Sequence, residues 1–259
     1  MTTLASVKTR HYTITVEGDG GPFTVTAKVV EEAEGIEHVA LRLTAQRRER
    51  PPKLRLHWLH PMVETHLKWS PACGSHRAIQ PHWRAGRVLR ARNTLDAPVY
   101  SLFGADGRNA LTFALSDALN PTMLAAGVVE ESACALCEIE LFEECAARVE
   151  SLKIVLRIDT RPVEWHRALK DVSDWWAAMP GHTPASVPEH ARLPMYSSWY
   201  SFHQMLDPSG LERQCLLAKD LGMESVIVDD GWQTEDVARG YAYCGDWEVT
   251  PGKFPDYDG

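Results

Sequence analysis

The chain has 259 residues, 44% of them apolar and 24% charged, with a formal net charge of −8. That length suits one large domain or two ordinary ones. An acidic balance argues against a nucleic-acid binder, and the one dense basic run, Arg47, Arg48, Arg50, Lys53 and Arg55, reads as a solvated strand end or turn.

From His11 onward the pattern is that of β-strands. His11 to Val16 alternates apolar and polar residues, and the glycines of EGDGG, Glu17 to Gly21, tolerate the positive φ of a turn. Phe23 to Val30 alternates again, and Ile36 to Ala45 follows a further glycine. Leu54 to Leu59, Val88 to Asn93, Val99 to Phe103, Ala110 to Ser116, Ala133 to Phe142 and Val149 to Ile158 are further strand candidates. Turn signals recur between them, at Pro51-Pro52, Asn93 to Pro98, Gly104 to Asn109 and Asn120-Pro121. Many strands at this spacing predict a β-sandwich over residues 1–160.

The period changes at Arg161. Val163, His166, Leu169, Val172, Trp175 and Trp176 recur at helical steps, with Pro162 suited to the first turn. Four prolines between Pro180 and Pro194 read as a linker. The expected domains are therefore 1–179, a sandwich with a C-terminal helix; 180–193, the linker; and 194–259, a different architecture. There Met195 to Ser201 is a strand candidate. Asp207 and Pro208 open a helix with Leu211, Cys215, Ala218 and Leu221 on one face, and Gly222 closes it. ESVIVDD, Glu224 to Asp230, is the next strand, and its apolar run predicts burial. Strand, helix, strand over this length predicts a βαβ unit with parallel strands. Ligands of parallel sheets bind at the carboxyl edge, which collects Trp199, Tyr200, Asp229 and Asp230. Two aromatics and two carboxylates there suit a polyhydroxylated ligand.

Three runs in this order, SSWYSF, LGMESVIVDDGWQ and GDWEVTPGKFP, resemble glycoside hydrolase family 36, the melibiase-type α-galactosidases and their raffinose-synthase-like relatives. The resemblance covers residues 196–255 closely and implies a multidomain fold, β then α/β. It comprises an N-terminal β-sandwich or super-sandwich followed by the first βαβ unit of a (β/α)8 TIM barrel. It implies a retaining α-galactosidase acting on an α-galactoside, with no cofactor and no metal. Trp199, Tyr200, Asp229 and Asp230 would bind the sugar, Trp232 and the Gly245-Asp246-Trp247 loop would shape the rim, and Trp69, or else Trp83, would reach it from the sandwich. Homo-oligomers through the sandwich also follow from the resemblance.

Retaining hydrolysis needs two carboxyl groups about 5 Å apart on opposite sides of the scissile bond. Neighbours in a strand point to opposite faces, so Asp229 and Asp230 are expected to bind rather than cleave. The nucleophile and acid/base of the family lie on later barrel strands, which the resemblance puts beyond Gly259. The chain is thus expected to be a truncated N-terminal part without catalytic residues, inactive alone. The alternatives are a fragment of a raffinose-synthase-like transglycosidase or a non-catalytic carbohydrate-binding module.

Cys134 and Cys137 have CxxC spacing without a second pair, so free thiols are favoured over a zinc or redox site. His57, His60, His66, His76 and His82, with Cys73 and Glu64, match no standard zinc spacing and read as satisfied histidines of a sandwich surface. The N-terminal stretch has no apolar signal core and no run reaches membrane-spanning length, so a cytoplasmic protein without membrane partners is expected.

Overall fold

A computed structural model describes residues 2–75, 77–84, 88–92, 95–144, 147–181, 183–242 and 247–256. The chain divides into two compact units, residues 1–183 and 184–259.

The first unit is a two-layer β-sandwich. Its strands in chain order are β1 (Thr2–Lys8), β2 (Thr13–Gly18), β3 (Thr24–Ala33), β4 (Ile36–Glu49), β5 (Leu54–Pro61) and β6 (Leu67–Trp69). They continue with β7 (Val88–Ala91), β8 (Val99–Phe103), β9 (Asn109–Leu115), β10 (Thr122–Val129), β11 (Cys134–Leu141) and β12 (Val149–Asp159). One six-stranded sheet has the order β1-β2-β5-β11-β10-β7 and the other β3-β4-β12-β9-β8-β6. The pairings within both are antiparallel.

Alternation places the core. In β5, Leu54, Leu56, Trp58 and His60 face inward while Arg55, His57 and Leu59 face out. Ile154, Leu156 and Ile158 do the same in β12. The indole of Trp58 meets Phe113 of the opposite sheet edge-on, centroids 5.0 Å apart at 82°, and Tyr100 stacks on Phe113 at 5.5 Å. Such pairs add about 0.5–1.5 kcal/mol beyond their area burial.

Helix α1 (Trp165–Ala177) lies on the outer face of the second sheet. Val172 packs with Val99 and Ala114, and Trp176 Nε1 donates to the Leu115 carbonyl at 2.8 Å. Pro162 precedes the helix instead of opening it, and its carbonyl accepts from Arg108 Nη1 at 2.8 Å.

Three strands depart from the sequence reading. β1 and β6 are edge strands, and β10, TMLAAGVV, is so uniformly apolar that it lacks alternation. β4 also runs on through the polar Gln46 to Glu49, carried by its ladder to β12.

In the second unit, β13 (Met195–Ser197) and β14 (Ser225–Ile227) are parallel, with α2 (Trp199–Phe202) and α3 (Pro208–Asp220) between them. Asp207 caps α3, its carboxylate accepting from Gly210 N at 3.0 Å, with Pro208 in the first turn. Leu211 and Ala218 are buried as the helical period requires, but Leu221 is 76% exposed. The expected burial of the β14 run is corrected: Val226, Ile227 and Val228 stay 40–44% exposed. A strand that pairs only with β13 among the described residues has too little structure over it to bury both faces. These two strands are the parallel sheet of the unit; a closed barrel is not shown. Gly259, beyond which the nucleophile and acid/base were expected, lies outside the described residues, so that expectation stays one drawn from the resemblance alone.

Candidate functional site

Ser197 at the end of β13 lies opposite Ile227 at the end of β14. Two loops therefore leave one carboxyl edge, the usual ligand edge of a parallel sheet. The first begins with Ser198, fully buried, whose hydroxyl accepts from Asp229 N at 2.8 Å and so ties the second loop to the first. Trp199 and Tyr200 are not on a strand, as the sequence had suggested, but in the single turn α2 that follows Ser198. Tyr200 is 88% exposed, and Trp199 meets His203 edge-on at 5.2 Å.

Asp229 and Asp230 lie beyond the end of β14, so strand alternation does not set their directions, contrary to expectation. Their hydrogen bonds distinguish them instead. Asp230 Oδ2 accepts from Gln204 Nε2 at 2.7 Å, and Oδ1 accepts from Gly231 N at 3.0 Å and from Gln233 Nε2. Asp229 Oδ1 accepts from Asp230 N at 2.8 Å, and Oδ2 accepts a longer bond, 3.3 Å, from Ser197 Oγ. A carboxylate offers about four acceptor sites, so Asp229 retains more unused capacity than Asp230.

Gly231 closes the turn at φ +105°, with Gln204 backbone so near that a Cβ would lie 2.5 Å from its carbonyl oxygen. Lys253 Nζ donates to the carbonyls of Gln204 and Gly231, both at 2.7 Å, and so joins the two loops. Burial lowers the pKa of this ammonium, while the charges of Glu235 and Asp230 act in the opposite direction. Trp232 and Trp247 meet edge-to-face at 5.7 Å, and Trp247 is 69% exposed. Gly245 and Asp246 lie outside the described residues. The sequence reading did not single out Ser198, Gln204, Gln233 and Lys253. Ser198, Gln233 and Lys253 stand inside the quoted motifs, whereas Gln204, just past SSWYSF, gives no local signal.

No protein-family model matches the chain, and no curated protein matches it. The solved structures to which the chain is similar include two alpha-galactosidases. The alpha-galactosidase from Lactobacillus brevis is 12% identical with a TM-score of 0.46, the match covering 93% of this chain and 41% of that one. The glycoside hydrolase family 36 alpha-galactosidase AgaB from Geobacillus stearothermophilus is 14% identical with a TM-score of 0.49, covering 95% of this chain and 34% of that one. The chain thus spans less than half the length of either. At these values the likeness assigns neither a family nor an activity.

The remaining candidates lie in the sandwich unit. Trp69 is half-buried in β6, packed beside Val99 and Val172 and tilted against Trp165 at 6.1 Å; Trp83 is 69% exposed. The expectation of surface histidines fails for His60, which ends the inward row of β5 and is 6% exposed. Its Nδ1 pairs with Tyr12 Oη at 2.9 Å and its Nε2 with Thr65 Oγ1 at 3.2 Å. Burial pushes its pKa down to about 4. His66 Nδ1 accepts from Ala105 N, His82 Nδ1 pairs with the Val128 carbonyl, and His76 lies outside the described residues. Cys134 and Cys137 are free thiols at opposite faces of β11, and burial raises the pKa of Cys137 well above the usual thiol value. Cys145 and Cys244 lie outside the described residues. Among the described residues no group of three His, Cys, Asp or Glu side chains suits a metal ion, and no helix is long and apolar enough to cross a membrane.

Proposed function

We propose that the chain serves an α-galactosidase-type glycoside hydrolase, with the second unit recognising the sugar. The observation that carries this reading is the pairing of Ser197 with Ile227, which sends the SSWYSF and DDGWQ loops from one sheet edge. Asp229 supplies acceptors for sugar hydroxyls, and Asp230 holds the loop that presents it. Trp199, Tyr200, Trp232 and Trp247 supply aromatic surface. Two vicinal carboxylates, one already holding three hydrogen bonds, are unsuited to act as nucleophile and acid/base on opposite sides of a bond. Both aspartates therefore belong to recognition, and the substrate is an α-linked galactoside.

The test is calorimetric titration of the chain with galactose and with methyl α-galactoside. Asp229→Asn should weaken binding about tenfold or more, the usual loss for a charge-assisted hydrogen bond. Equal binding by the wild type and Asp229→Asn would refute the assignment. Turnover of an aryl α-galactoside by the purified chain would refute the division between recognition and bond cleavage.

A further inference from the structure

The outer face of the second sandwich sheet carries a cleft of about 270 Å³ at its β3 edge, walled by Glu31, Ile36, His38, Arg157, Asp171 and Trp175. That volume sits near the lower end of small-molecule sites, roughly 300–1,000 Å³. Three of these residues form a row across adjacent strands. Arg157 of β12 lies directly opposite His38 of β4, and His38 directly opposite Glu31 of β3. Glu31 reaches that register because β3 carries a bulge between Val29 and Glu31. Bulges re-aim side chains in this way, and they concentrate at sheet edges and next to functional sites.

The hydrogen bonding of the row is incomplete. Glu31 Oε2 lies 2.8 Å from His38 Nδ1. Burial, with Arg157 nearby, lowers the pKa of His38 against the pull of Glu31, so the ring is neutral near pH 7. Its one proton sits on Nδ1, facing the carboxylate, which leaves Nε2 as a bare acceptor. Arg157, 3% exposed, donates from Nη2 to Asp159 Oδ2 at 3.1 Å. Arg157 Nη1 and His38 Nε2 are closed to solvent and hydrogen-bond to nothing among the described residues. Buried polar atoms left this way are unfavourable and rare in folded proteins.

The two atoms have opposite requirements. Arg157 Nη1 must donate and His38 Nε2 must accept, so the complementary group must accept and donate at once. A hydroxyl does both; a sulfate or carboxylate anion offers nothing to His38. The charges agree, because Arg161 bonds both Asp159 and Asp171, at 2.5 and 2.6 Å, and leaves no excess of positive charge to hold an anion. Trp175, stacked on His38 with centroids 5.4 Å apart, supplies an apolar wall, and the carboxylates of Glu31 and Asp171 supply further acceptors.

We infer that this cleft binds a neutral polyhydroxylated molecule of monosaccharide size, one hydroxyl of which bridges Arg157 and His38. The site is distinct from the Asp229 loop and stands on the sandwich alone. Both nitrogens are closed to solvent, so binding requires a shift of the side chains that cover them.

The experiment follows the imidazole nitrogens of the full chain by two-bond ¹H–¹⁵N spectra, the His38 signals being assigned by their loss in His38→Phe. The probes are D-galactose, D-glucose and myo-inositol, each to about 50 mM, which saturates a site with a Kd on the order of 1 mM. At least one probe should move His38 Nε2 saturably, in the wild type and equally in Asp229→Asn. Glu31→Ala removes the acceptor that fixes the tautomer and should weaken binding about tenfold, while Glu31→Gln, whose amide oxygen accepts the same proton, should retain it. This pair, at an exposed edge position, decides the matter if His38→Phe does not fold. The inference is overturned if no probe moves the signal, which leaves a bridging water as the partner of both nitrogens. It is equally overturned if sodium sulfate moves the signal as far, if Glu31→Ala binds as wild type, or if Asp229→Asn abolishes the shift.

Discussion

The buried His60 makes the stability of the sandwich depend on pH in a defined window. Thr65 Oγ1 donates its single proton to the Val63 carbonyl at 3.2 Å, so it can only accept from His60 Nε2. That leaves Nδ1 unprotonated, and it accepts from Tyr12 Oη, a phenol that burial keeps protonated far beyond its ordinary range. A second ring proton would confront the Tyr12 hydroxyl and place a charge where the ring is 6% exposed. The folded pKa, pushed down to about 4 by burial, lies below the unfolded value of about 6.5. Between these values the unfolded chain binds the extra proton, so stability is full above pH 6.5 and falls as pH is lowered toward 4. The whole loss is roughly 3 kcal/mol, a large part of the 5–15 kcal/mol typical of a domain. Native-state exchange of the β5 and β11 amides measures it within the sandwich alone. His60→Gln removes the titration, while carboxylates common to both proteins cancel in the difference. The wild type should lose roughly 3 kcal/mol more than His60→Gln between pH 7 and pH 4. Parallel curves, or an NMR midpoint for His60 near 6.5, would refute the assignment of the neutral, chain-bonded ring.

Further substitutions test the second unit. Gly231→Ala sets a Cβ 2.5 Å from the Gln204 carbonyl oxygen at φ +105°, and should destabilise the unit by about 2 kcal/mol or more, read by amide exchange in α3. Asp207→Ala removes the acceptor for Gly210 N and should cost about 1 kcal/mol, with Asp207→Ser recovering most of it; the urea midpoint of α3 exchange reports both.

The sequence disclosed what depends on local period. β5 reads as Leu54, Leu56, Trp58 with polar residues between, and the same count reaches His60, which reads as a surface histidine when its spacing matches no zinc pattern. The cap of α3 was equally legible, because Asp207 and Pro208 act on backbone groups within one turn. Strand β10 was not, since a strand covered on both faces loses the alternation that marks it. Burial of Val226 to Val228 was misread for the converse reason: an apolar run states a capacity for burial, and the neighbours that would realise it are a matter of tertiary structure.

The candidate sites divide in the same way. Two adjacent aspartates after an apolar strand mark the carboxyl end of that strand, and that much the motif conveys. Which of them keeps more acceptor capacity is decided by Gln204, 26 residues away, whose amide occupies Asp230 Oδ2 and leaves Asp229 the freer acceptor. The row of Glu31, His38 and Arg157 had no signal at all, because its registers are set by a bulge and by a partner strand more than a hundred residues on. Both arrangements follow from a single constraint, that buried donors and acceptors must be matched. In the Asp230 loop the protein matches them itself and gains a rigid turn. At Arg157 and His38, partners across adjacent strands, it leaves a donor and an acceptor unmatched, and the group that completes them has to accept and donate at once.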